Sequence, residues 1–157
     1  MTWEAIQIDE FDGSKGLDET ECEKYLGDLI SNNGSNQKNI LARKDKGTGI
    51  VSQIMTKLGG IIFGPYYFEV GLILRGSHLV NGILTNSEAW YGLTISEMEH
   101  LEQVDEQFLR SFLEAGKSCP REMLYLETGS IPLRFKLNAL QSSWSVEHIL
   151  LFLLLSS

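Results

Sequence analysis

The stretch from Asn86 to Phe135, NSEAWYGLTISEMEHLEQVDEQFLRSFLEAGKSCPREMLYLETGSIPLRF, decides how the chain folds. Thr94-Ile95-Ser96-Glu97 has the form of a capping box, in which the threonine hydroxyl accepts from the third helical amide and the glutamate reaches back to the cap amide. Leu93 and Met98 occupy the two positions of a hydrophobic staple around it. From there Ile95, Met98, Leu101, Val104, Phe108, Leu109, Phe112 and Leu113 form one apolar face, and Gly116 falls where a left-handed cap belongs. The spacing predicts a helix over about 94–115. Pro120 fits the first position of a second helix that Gly129 ends, and Pro132 fits the first position of a third.

The polar face of the long helix carries Glu97, Glu99, Glu102, Asp105 and Glu106. Glu99, Glu102 and Glu106 share a side at spacings of three and four, which raises acid–base or metal chemistry. Helical carboxylate metal sites generally add a histidine three residues on, facing inward, and a second helix like the first. The expectation is a solvated face.

Working outward, Tyr66 to Leu84 is strongly apolar after the Gly59-Gly60 and Gly64-Pro65 turn signals, and reads as a largely buried helix. His78 within it has no Asp, Cys or Ser arrangement pointing at it and reads as a satisfied buried or boundary histidine. Ile40, Leu41, Val51, Ile54, Met55 and Leu58 show helical spacing broken at Gly47 and Gly49, which predicts one long helix with a weak middle or two short ones. Lys24 to Ile30 reads as a short strand running into a tight turn at Asn33-Gly34. Residues 1–23 mix glycine with carboxylates and read as an acidic flexible segment; Asp9, Glu10 and Asp12 lack the glycine and distant glutamate of a calcium loop. After Phe135, residues 136–157 form a divergent hydrophobic tail in which Val146, Ile149, Leu150 and Leu153 resume helical spacing. The fold expected is mainly α, an irregular helical bundle with a short N-terminal β-strand or hairpin, its central part spanning 24–135.

The 157 residues suffice for one ordinary domain, and 43% apolar with 22% charged residues is a globular composition. Cys22 and Cys119 have no partner at zinc spacing, so neither a disulfide framework nor a zinc module is indicated. No basic and apolar leader opens the sequence, and the longest apolar run, Ile149 to Leu155, falls far short of about twenty residues for a membrane span. An intracellular location, cytoplasmic or nuclear, follows as the expectation, with no membrane partner and no cofactor. The net charge of −8 opposes polyanion binding at long range, but residues 35–85 carry six basic and two acidic side chains. Lys38, Arg43, Lys44 and Lys46 are the candidate nucleic-acid contacts in that segment.

Three sets of residues, in order, resemble a known family. Tyr25-Leu26-Gly27 with Ile30-Ser31 and Gly34 resembles the strand and turn near the end of the palm of a non-LTR retrotransposon reverse transcriptase. Glu88 and Trp90, then Leu93-Thr94, Leu101, Arg110 and Leu113, resemble that family's Tyr-Gly-x-Glu-x-Trp segment and the helix after it. Pro120, Leu126-Glu127, Gly129 and Pro132-Leu133 resemble its Pro, Leu-Glu-x-Gly and Pro-Leu elements. Thr85-Asn86-Ser87 stands where Tyr-Gly is usual, and the tail after Phe135 matches nothing in the family, as expected of a truncated or shifted reading of degenerate element DNA.

The family's polymerase chemistry uses palm aspartates, including a Tyr-x-Asp-Asp turn, to hold two metals, and no Asp-Asp pair occurs in this sequence. The resemblance therefore implies a non-catalytic thumb and post-thumb region, a fragment of a transposable-element RNA-directed DNA polymerase. Its implied partner is an RNA–DNA hybrid or RNA, held weakly. The alternative is a protein-interaction or scaffold module that self-associates through Tyr66, Tyr67, Phe68 and Ile149 to Leu155.

Overall fold

In a computed structural model, residues 21–25, 27–60, 64, 66–90 and 92–143 are described. The architecture is mainly helical with a short two-stranded antiparallel hairpin near the N-terminus, as the sequence predicts. The carboxylates Asp9, Glu10 and Asp12 and the apolar run Ile149 to Leu155 lie outside the described residues.

The hairpin differs from the single strand expected over Lys24 to Ile30. β1 (Cys22–Tyr25) pairs with β2 (Asp28–Ser31), with Tyr25 opposite Asp28 and Cys22 opposite Ser31. The reversal falls at Gly27, whose φ of 93° is costly for any residue with a Cβ. Asn33-Gly34 also turns the chain, the Gly34 amide donating to the Ser31 carbonyl, but this turn delivers the chain into a helix.

That helix, α1 (Gln37–Gly59), runs unbroken through Gly47 and Gly49. Tertiary packing overrides the low intrinsic propensity of glycine. A Cβ on Gly47 would stand 2.9 Å from Val104 Cγ1 and 3.1 Å from Ile83, so this glycine lets three segments approach closely.

The run predicted over Tyr66 to Leu84 is helical as α2 (Tyr67–Leu74), a π-helical segment Arg75–Val80, and α3 (Asn81–Leu84). It is not largely buried. Gly71, Arg75, Leu79, Val80 and Ile83 face the core, whereas Tyr66, Phe68, Ile73 and also His78, expected at or below the surface boundary, are exposed. A short 3-10 turn at Ser87–Ala89 follows.

α4 (Ile95–Phe112) starts as its sequence dictates: Thr94 accepts from the Glu97 amide and Glu97 accepts from the Thr94 amide. Its end differs. Glu114, at φ 52°, takes the left-handed position assigned to Gly116, and the helix stops at Phe112. α5 (Arg121–Thr128) begins one residue after Pro120 and ends at Gly129 in left-handed geometry, with Ser130 N–H donating to Tyr125 O. α6 covers residues 133–143, crossing Phe135 and Lys136 without interruption.

One apolar core joins these elements. Ile40, Val51, Ile54 and Leu58 of α1 meet Leu79, Ile83, Leu101, Val104, Phe108 and Leu109, with Leu124, Leu133 and Leu137 closing the far side. Each such side chain contributes about 1.5–3 kcal/mol relative to staying in water. Phe112 stacks on both Tyr67 and Phe108, with ring centroids 5.3 Å and 5.5 Å apart.

Candidate functional site

The carboxylate face of α4 is the main departure from expectation. Glu102 is 1% exposed and Asp105 fully buried, so this is not a solvated face. Asp105 sits one turn after Leu101 and three residues before Phe108, inside the apolar stripe, and helical periodicity places it against the core. Glu102 lies at the stripe's edge, one turn from the partly buried Glu106.

Arginines from three other elements meet these acids. Arg75 holds Asp105 with both prongs of its guanidinium. Arg121 reaches Glu99, Glu102 and Glu106, the last through Nε to Oε2 at 2.8 Å. Arg134 donates to both oxygens of Glu102, and Arg110 donates to Glu106 within its own helix and to the carbonyls of Gly116 and Cys119. Arg121 hydrogen bonding holds the Glu99 carboxyl below the usual range. Burial works to raise Glu106, and hydrogen bonds from Arg110 and Arg121 outweigh it. Burial first, then the Asp105 charge, pushes the Tyr125 phenol up, so its hydroxyl stays a donor to Asp105. Each carboxylate of the network is thus met by at least one guanidinium of the same chain. Among the described residues no group of three His, Cys, Asp or Glu could hold a metal ion.

The four predicted nucleic-acid contacts do not form one surface. Arg43 is buried: Nη2 pairs with Asp28 at 2.7 Å, Nη1 donates to the Gly82 carbonyl, and the guanidinium lies 5.7 Å from the centre of the Trp90 ring. Burial works to raise Asp28, and hydrogen bonds from Arg43, Asn39 and Asn86 hold it below the usual carboxylate range. Arg43 is thus the tie between hairpin, α1 and α3. Lys38 makes an exposed pair with Glu21 at 3.3 Å, of little energetic weight. Lys44 turns toward α4, donating to Gln103 Oε1 at 3.1 Å. Lys46, two residues on and so nearly opposite on the helix, lines a groove between α1 and the π segment.

That groove has a volume of about 370 Å³, with Lys46 and Lys57 along α1 and Ser77, His78 and Thr85 on the other wall; no carboxylate lines it. A larger groove of about 650 Å³ runs between β2, the start of α1 and the segment around Trp90. Sequence reasoning missed both, because each is made by residues far apart in the chain.

The residues that carry the reverse-transcriptase resemblance are structural nodes here. Trp90 is 3% exposed beneath Arg43, Arg110 spans α4 and the loop after it, Gly129 supplies the left-handed cap, and Leu133 is fully buried. Comparison of the chain with models of protein families, with curated proteins and with solved structures finds no match.

Proposed function

We propose that the chain is a non-catalytic helical scaffold, of the kind that follows the palm in non-LTR reverse transcriptases, and that it works by protein–protein contact. The observation that carries this reading is the use of its arginines. All five in the sequence are paired with carboxylates of the same chain, so the side chain best suited to gripping phosphate is committed to holding helices together. Meanwhile Tyr66, Phe68 and Ile73 stand exposed on α2 and at its start, and Leu126, Ile131 and Phe135 on α5, the turn after it and the start of α6. Tyr66 and Ile73, seven residues apart, fall on one side of the helix, and exposed apolar side chains of this kind support a contact surface.

Sedimentation analysis tests the reading. The weight-average mass is expected to rise with protein concentration, and Tyr66→Ser/Phe68→Ser/Ile73→Ser to keep the chain monomeric; a native chain that stays monomeric throughout overturns it. A second reading, contact with RNA or an RNA–DNA hybrid, is favoured by the acid-free groove with Lys46 and Lys57. Filter binding at low salt tests that one: Lys46→Ala/Lys57→Ala is expected to lower the salt slope of binding by about two. Unchanged binding and slope would remove it.

A further inference from the structure

We infer that the groove between β2, the first turns of α1 and the segment around Trp90 is a docking site for a basic, extended peptide segment of a partner protein. The inference rests on the reading of the chain as an interaction unit, but it uses a surface other than the exposed side of α2. The groove's volume of about 650 Å³ lies within the range of binding clefts. Its length along the four residues of β2 is about 13 Å, matching about four residues of extended chain.

Three features set the chemistry of the occupant. Tyr25, 63% exposed, and Ile30, also exposed, line the groove and offer an aromatic face and a branched apolar one. Two carboxylates line it as well, and no lysine or arginine does. Asp28 is neutralised by Arg43, whereas Glu88 forms no ion pair and no hydrogen bond among the described residues. The uncompensated charge of the groove is therefore negative, and an aromatic ring beside a carboxylate suits a lysine or arginine side chain. Finally, Trp90 lines the groove, and its Nε1–H is buried without a partner among the described residues. A buried donor left unpaired is rare, and this one marks the groove wall as a side on which an acceptor is wanting.

Strand addition is not the mode. The Leu29 amide, on the outer edge of β2, already donates to Asn39 Oδ1 at 3.2 Å, and the Ser31 carbonyl accepts from Gly34. Recognition runs instead through side chains, a cation toward Glu88 and apolar groups against Tyr25 and Ile30.

The test uses the full chain carrying Trp3→Phe and Trp144→Phe, which leaves Trp90 as the sole tryptophan and a fluorescent reporter in the groove wall. The probe is a blocked hexapeptide alternating lysine and valine, with its glutamate-for-lysine counterpart as control. The lysine peptide is expected to give a saturable change in emission that weakens with salt, and the glutamate peptide none. Glu88→Gln, checked for an unchanged far-UV spectrum, is expected to weaken binding about tenfold, between the effects of an exposed and a buried charge pair. No saturable response, an equal response to both peptides, or unchanged affinity in Glu88→Gln each overturns the inference. Because the peptide experiment leaves Tyr66, Phe68 and Ile73 intact, its failure and that of the sedimentation experiment are separate results.

Discussion

Arg75 grips Asp105 with two parallel hydrogen bonds, Nε to Oδ1 at 2.7 Å and Nη2 to Oδ2 at 2.6 Å, and both side chains are out of water. Tyr125 adds a third bond, its hydroxyl donating to Oδ2 at 3.0 Å. The π segment, α4 and α5 thus converge on one carboxylate. A buried pair repays its desolvation only when its geometry is good, and removing one partner strands the other charge. Arg75→Met is expected to cost about 3–5 kcal/mol in urea denaturation. Arg75→Met/Asp105→Leu should recover most of that loss. A single variant as stable as the native chain would show that Asp105 finds other compensation.

The glycines of the helices divide into two kinds, and alanine substitution should separate them. A Cβ on Gly71 would overlap the Phe112 ring, which is stacked between Tyr67 and Phe108 and has little room to move. Gly71→Ala is expected to lose about 1–3 kcal/mol by overpacking. Gly49 lies in the middle of α1, with nothing within 4 Å of its added Cβ. Gly49→Ala should gain about 0.5–1 kcal/mol through helix propensity. Thermal melts of the two variants shifting in the same direction would contradict this packing.

The same contrast explains what was legible in the sequence. The α4 cap was readable because Thr94 and Glu97 act within four residues of each other, and the α5 stop because Gly129 answers a local backbone demand. The end of α4 was not, since Arg110 binds the Gly116 and Cys119 carbonyls and shapes the chain there from outside the cap motif. Continuity of α1 across Gly47 depends on Val104 and Ile83, which lie far away in the chain. The burial of Asp105 was partly legible, because its place in the apolar stripe contradicts its charge. Its partner Arg75 lies in line with Gly71 and Leu79 on a buried face, the same contradiction with opposite sign. Read together, two such misplaced charges announce a buried pair; read as net charge per segment, they suggest a basic surface and an acidic one.

The carboxylate network also sets the response to acid. Glu99, Glu106 and Asp28 all have carboxyls held below their ordinary values of 4.5 and 3.8. A depressed folded-state pKa contributes stability that is full above the unfolded value and is lost as pH falls through the folded one. The melting temperature is therefore expected to be flat down to about pH 5 and to fall below about pH 4.5. Glu99→Gln/Glu106→Gln should start lower at neutral pH and lose less on acidification. Because Glu99 is part-exposed, added salt should weaken its share. Equal acid sensitivity in native and variant chains would assign the loss to other groups.

Arg43 and Lys46 lie one turn apart in α1, yet the structure gives them opposite roles. Arg43 compensates Asp28, covers Trp90 and satisfies the Gly82 carbonyl, so its removal acts on folding. Arg43→Ala is expected to cost about 3 kcal/mol, near the lower bound for breaking a buried pair because Asp28 retains some contact with water. Lys46 is exposed at the groove wall, and Lys46→Ala should change stability by less than about 0.5 kcal/mol. Any effect of Lys46→Ala on polyanion binding is then a contact effect, while loss of binding in Arg43→Ala follows loss of the hairpin. Urea denaturation of both variants beside salt-dependent binding distinguishes the two. Weakened binding in Arg43→Ala with stability unchanged would return Arg43 to the surface role that its position in a basic segment suggests.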